Sequence, residues 1–216
     1  MHMISLVIWG AAVALYLAFL GWHENWRGKL TEAEIAHFTA LVEGNEDTSD
    51  AQKKVMLDFM AGDTGREFFM VNLLTFPDGK IPHPDTGKPV SGAALLQDYY
   101  RPFAGMILRN AGYPAQTGRV KGGEVEIWGT AAEQGWQVVG LMRYRSRRDL
   151  LKAATDPSFS GIHVHKRAAL AATFAVPVES DGGAFVSPRL WVGLLLGTLA
   201  GLVQLAVMIF RSPNVG

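Results

Sequence analysis

Two long apolar runs lie at opposite ends of this chain, and they restrict it more than any other feature. Residues 190–210 form 21 consecutive positions without a charge, bracketed by Arg189 and Arg211. At 1.5 Å rise per residue a helix of that length spans roughly 31 Å, the hydrocarbon thickness of a bilayer. The other run begins at Ile4, reaches Leu20 and ends in Trp22 and His23. The leading Met1-His2-Met3 has no Lys or Arg, and no small-x-small site follows Leu20, so a retained anchor is expected rather than a cleaved signal peptide. The expected division is therefore residues 1–23 as a first span, 24–65 as a linker with two helices, 66–180 as a folded domain and 186–211 as a second span. Arg27, Lys29 and Arg189 flank the spans on the domain side and only Arg211 flanks the far side. The positive-inside tendency then places the domain in the cytoplasm of an integral, bacterial inner-membrane protein.

Lipid tails are as apolar as leucine, so helices join in a bilayer by close backbone approach. Gly193, Gly197 and Gly201 make one small-residue ridge at i, i+4 and i+8, and Gly10, Ala14 and Ala18 make another. These ridges are expected to pack the spans on each other, on a second copy or on other membrane-protein subunits.

The 20 basic residues balance the 20 acidic ones. That balance gives no electrostatic footprint for nucleic acid. The chain has no cysteine, which excludes disulfides, thiolate nucleophiles and Cys-ligated metals. It has no P-loop, GxSxG, HExxH or dinucleotide-binding fingerprint.

Between the spans, Thr31-Glu32-Ala33-Glu34 is a capping-box pattern opening a helix that Gly44 ends, and residues 50–61 predict a second helix. Residues 67–76 (EFFMVNLLTF) predict a buried strand, and the proline-rich stretch 77–89 a loop. Ser91 caps a helix carrying Leu95, Leu96, Tyr99, Phe103 and Ile107, with a kink expected at Pro102. Strands are predicted at 116–120, 125–128 and 136–144. Ser146 starts a helix that Asp156-Pro157 breaks and restarts, and 173–178 closes as a strand. The order β-α-β-β-α-β predicts an α+β domain of ferredoxin-like type, with helices on one face of an antiparallel sheet. The uncovered face needs a lid, and a second copy of the chain is the economical one.

Asn72 interrupts an apolar strand, and a buried amide needs partners. His163 and His165 are two apart, about 200° around a helix, so they cannot share one ligand from it. Tyr99, Trp136 and Tyr144 are aromatic candidates for a pocket lining. Arg143, Arg145, Arg147 and Arg148 form a basic cluster whose default is a solvated face, with an anionic ligand or headgroup as its functional alternative. His83 is expected to stand in its loop without nearby ligand types, so no metal site is expected.

The residues Phe69 to Phe76, Ser91-Gly92, Tyr99, Trp136, Tyr144-x-Ser146, Asp156-Pro157-x-Phe159, His165, Arg167 and Ala168-Ala169-Leu170 together resemble an uncharacterised dimeric α+β barrel family of unknown function. The likeness covers roughly residues 32–178. It implies a ferredoxin-like homodimer whose two sheets close into a barrel, and it implies no activity; Tyr99, Trp136, His165 and Arg167 are the ligand-binding candidates within such a barrel. The two spans depart from that family. More distantly the chain is similar to antibiotic-biosynthesis and haem-degrading monooxygenases, which use an asparagine on the first strand, a tryptophan on the third and a histidine on the second helix. That similarity implies Asn72, Tyr144 and His163 as catalytic candidates, with Tyr144 standing where the tryptophan would be. The expected role is thus a ligand-binding or accessory subunit without a cofactor. The alternatives are a haem-dependent or cofactor-independent monooxygenase or isomerase, and a purely structural dimerising element.

Overall fold

Residues 2–46, 48–129, 135–182 and 187–211 are described by the computed structural model. The chain divides into two units, Asn25–Ser180 and the pair of terminal helices with their adjoining residues.

The terminal unit holds α1 (His2–His23) and α7 (Pro188–Arg211). Both are long and apolar enough to cross a membrane. They lie against each other. The Tyr16 hydroxyl donates to the Arg189 carbonyl at 2.9 Å, and Glu24 takes a two-pronged ion pair from Arg189 at 2.6 and 2.9 Å. On α7 the half-buried stripe includes Gly193, Gly197 and Gly201 with the buried Ala200 between them. A Cβ on Gly193 would sit 3.4 Å from the Tyr16 ring. On α1 the groove facing α7 is lined by Trp9, Ala12, Val13 and Tyr16. Gly10, Ala14 and Ala18 are exposed on another face of α1, so the contact within the chain sets a glycine ridge against a tyrosine.

The Asn25–Ser180 unit starts with α2 (Glu32–Glu43) and α3 (Asp50–Ala61). Each opens on a complete capping box, Thr31 with Glu34 and Ser49 with Gln52. The side chain at each N-cap and the one at N3 satisfy two orphan amides reciprocally. The strand β1 (Phe68–Thr75) follows, then a short hairpin of β2 (Lys80–Pro82) and β3 (Pro89–Ser91) in the stretch expected to be only loop. Next come α4 (Gly92–Leu108), β4 (Tyr113–Arg119), β5 (Val138–Tyr144), α5 (Arg147–Ala154), α6 (Pro157–Ala169) and β6 (Ala172–Val178). The second helix breaks at Asp156-Pro157 as expected, and α4 runs on through Pro102. Residues 125–128 form no strand, and the strand preceding β5 lies earlier, from Tyr113.

Four strands make one antiparallel sheet in the order β4-β5-β1-β6. Side chains alternate across a strand, so one residue in two faces the helices. Phe68 and Met70 of β1, with Met142 and Tyr144 of β5, pack on Tyr99, Phe103 and Ile107 of α4. A second cluster joins Leu30, Phe38 and Val42 around α2 and Met60 of α3 to Leu151 of α5. The opposite parity carries Phe69, Val71 and Leu73 of β1, Val139 and Leu141 of β5, and Phe174, Val176 and Val178 of β6, registered side by side. Phe174 and Val178 are exposed.

Two backbone features fix the ends of α4. A Cβ on Gly92 would lie 2.5 Å from the Ala169 carbonyl oxygen, so only glycine lets the first turn of α4 meet the end of α6. Ala111, just past α4, holds φ 56, and Gly112 N–H donates back to the Ile107 carbonyl at 2.8 Å. That left-handed residue ends the helix at a cost of about 1–2 kcal/mol for a side chain with a Cβ.

Candidate functional site

The space between the sheet and α4–α6 is filled by rings. Phe68 stacks on Tyr144 at 5.2 Å, and Tyr99 stacks on Phe103 at 5.0 Å. The His163 ring of α6 stacks on Phe159 at 5.0 Å and meets the Tyr99 ring edge-on at 6.1 Å. Each such pair contributes about 0.5–1.5 kcal/mol beyond burial. Burial pushes the Tyr144 hydroxyl well above the ordinary tyrosine range, and burial together with the neighbouring Tyr144 does the same to Tyr99. Burial, with the charges of Lys166 and Arg167, holds His163 below the usual histidine range and so favours its neutral form. The Lys166 ammonium lies 5.5 Å from the Tyr99 ring centre, and burial lowers its pKa.

Tyr144 and His163 both border Tyr99. Asn72 stands apart from them. Its register partner is Gly140, whereas that of Tyr144 is Phe68. Four residues of strand separate them, about 13 Å. Met70 and Met142 occupy the face between, packed into the core. The Asn72 amide donates to the Met70 carbonyl at 3.0 Å and reaches Gly140 O at 3.5 Å, so its own strand and the next one satisfy it. The expected catalytic set therefore does not enclose one open space, and these residues do not fit a haem. The expected ligand-binding set also disperses. Tyr99 is core, Trp136 is half-buried just before β5, Arg167 is exposed on α6, and His165 faces elsewhere.

The four arginines expected on a solvated face are structural cations instead. Arg143 is 1% exposed and binds Glu67 at 2.6 and 2.9 Å and the Ala111 carbonyl at 2.7 Å. Arg145 pairs with Asp149, the N3 residue of α5, through two bonds of 2.8 and 2.9 Å. Arg147 reaches Glu179 at 3.0 Å and lies 4.5 Å over the Phe59 ring. Arg148, 3% exposed, grips Glu34 and the carbonyls of Gly28 and Lys29. Arginine can enter an interior in this way because its planar fork matches a carboxylate.

His83 is not isolated. It opens the turn between β2 and β3, which is closed by His83 N–H to Lys88 O at 3.0 Å and Gly87 N–H to His83 O at 2.8 Å. That turn lies against α4 and α6. The His83 Nε2 is 3.1 Å from Asp98 Oδ2 of α4, and the His165 Nε2 of α6 is 2.8 Å from Asp85 Oδ2 of the turn. The two imidazoles meet edge-on at 5.7 Å. The opposite outlook of His163 and His165, one into the core and one to the hairpin, follows from their spacing on α6.

No family model and no curated protein matches the chain. Solved structures do, two of them as follows. One is described as methylated RPA0582 protein, with a TM-score of 0.52 and 21% identity, covering 66% of this chain and 98% of that one. The other is RPA0582 of Rhodopseudomonas palustris, a protein of unknown function and structural genomics target, with a TM-score of 0.51 and 21% identity, covering 65% of this chain and 99% of that one. At that identity the likeness is one of fold, an α+β fold shared with an uncharacterised protein.

Proposed function

We propose that this chain is a membrane-anchored homodimer, an accessory or ligand-binding subunit of a membrane assembly, with its α+β domain on the cytoplasmic side. One observation carries the reading: the sheet face opposite the helices presents Val71, Leu73, Leu141, Phe174 and Val176 in register, and both buried clusters of the domain are built from other residues. Contiguous apolar surface of this kind marks an interaction site. A second copy placed face to face would close the two sheets into a barrel. The strand order supports this. With the hairpin set aside, the four sheet strands run 4-1-3-2 by position in the chain, the ferredoxin-like order. The two terminal helices are the anchor, and the exposed Gly10, Ala14 and Ala18 of α1 are available to partner helices in the bilayer.

The full chain in mild detergent is expected to have the mass of a dimer by light scattering. Phe174→Asp puts a charge into the apposed faces at the exposed edge strand β6 and is expected to weaken the dimer at least 100-fold without unfolding the helical side. A wild-type monomer at micromolar concentration overturns the reading. Haem added to the full chain is expected to give no Soret shift that depends on His163. A shift lost in His163→Ala would replace the accessory role by haem chemistry.

A further inference from the structure

The geometry points to a divalent transition-metal site at His83, Asp85 and His165, which would bolt the β2–β3 turn onto helices α4 and α6. One donor atom from each of these three residues lies within 4.8 Å of the others. In a tetrahedral zinc site the N and O donors sit 2.0–2.2 Å from the ion, hence about 3.3–3.6 Å from each other. The His165–Asp85 pair, at 2.8 Å, already lies inside that spacing, and Asp85 is 62% exposed.

The existing bonds indicate which atoms would bind. The Asp85 main-chain N–H donates to His83 Nδ1 at 3.1 Å, so the ring proton is on Nε2 and is given to Asp98. A bond to a carboxylate is the stronger of the two. An incoming cation would therefore displace the main-chain N–H and take Nδ1, while Asp98 continues to orient the ring. A carboxylate behind a ligating histidine is the usual outer support of such sites. The His165 Nε2 and Asp85 Oδ2, now 2.8 Å apart, share a proton that the cation would replace. The other nitrogen of His165, Nδ1, is buried without a hydrogen-bond partner.

Two imidazoles and a carboxylate select against calcium and magnesium, which prefer all-oxygen sites. Zinc or ferrous iron suits this donor set, and both are cations of the same class. The three donors come from a turn and from a helix 80 residues away. Surface ion pairs of this separation have little value alone. A shared cation would convert two weak contacts into one strong cross-link.

The test uses the untagged full chain in detergent micelles, stripped with a chelator and titrated with Zn²⁺ alone by calorimetry and thermal melting. One ion per chain and a raised melting temperature are expected. His83→Gln and His165→Gln are each expected to weaken binding at least 100-fold. Asp98→Asn is expected to weaken it by about 10–100-fold, the usual effect of losing an outer carboxylate. The exposed His37→Gln should change nothing. Co²⁺ in the wild type should show the visible bands of a four- or five-coordinate N/O site and be displaced by Zn²⁺, a readout that needs no variant. Ca²⁺ should not compete. Absence of Zn²⁺ binding at micromolar concentration overturns the site, as does binding that survives both histidine substitutions.

Discussion

Arg148→Ala is expected to destabilise the Asn25–Ser180 unit by about 3–5 kcal/mol, because removing one partner of a buried ion pair strands the other. The Arg148 guanidinium meets Glu34 through Nε at 2.8 Å and through a terminal nitrogen at 3.0 Å, and it takes the Lys29 carbonyl at 2.7 Å. Asn25 and the Gly28 carbonyl are each 3.3 Å away. One side chain on α5 thereby fixes the segment that leads into α2. Urea unfolding of the full chain measures the loss, and a change under 1 kcal/mol would show that the network is dispensable. The same pair predicts an acid response. The hydrogen bonds from Arg148 hold the Glu34 carboxyl down at about 2, against 4.5 for an ordinary glutamate. Its folded-state value is depressed, so its contribution is complete above about pH 4.5 and is lost as pH falls towards 2. In Arg148→Ala this part of the acid limb should flatten.

Arg143→Ala is expected to cost a similar 3–5 kcal/mol, for a different geometric reason. Arg143 stands on β5, directly opposite Tyr113 of β4 and Phe69 of β1. Its fork joins Glu67, just before β1, to the carbonyl of Ala111, just after α4. Loss of the guanidinium leaves a carboxylate and a strained left-handed residue's carbonyl without their donor. Arg143→Lys should recover only part of the loss, since a single ammonium cannot reproduce the two bonds to Glu67 and a third to Ala111. Hydrogen exchange at Ala111 and Gly112 should report the damage locally. Unchanged protection there would refute the assignment.

The elements with local causes were legible in the sequence. The capping box of Thr31 and Glu34, the aromatic run of β1, the Ser91 and Ser146 caps and the Asp156-Pro157 break each act within four residues, and the fold follows them. The prolines of residues 77–89 predict a loop, yet Pro82 and Pro89 sit opposite each other at the ends of a two-stranded hairpin, where a missing N–H is tolerated. Residues 125–128 have strand-like side chains but no partner strand, which is what stabilises such a segment. Arg145 pairs locally with Asp149, whereas Arg143, Arg147, Arg148 and His83 depart from the sequence expectation for one reason. Their partners, Glu34, Glu67, Glu179 and His165, lie 32 to 114 residues away. No local pattern states which loop will fold over which helix. The spacing of His163 and His165 did predict their opposite outlooks, since helical geometry alone decides that.

The contact between α1 and α7 has a polymer consequence. The two helices meet at Tyr16 and Gly193, so the whole stretch Asn25–Ser180 is a closed ring while they hold together. A ring of more than a hundred residues loses roughly 4–5 kcal/mol worth of denatured-state freedom when a covalent staple closes it. A clasp between the two apolar helices would act in the same sense and would keep both ends of the domain at one address after it melts. Refolding would then start from a tethered coil and not from a free one.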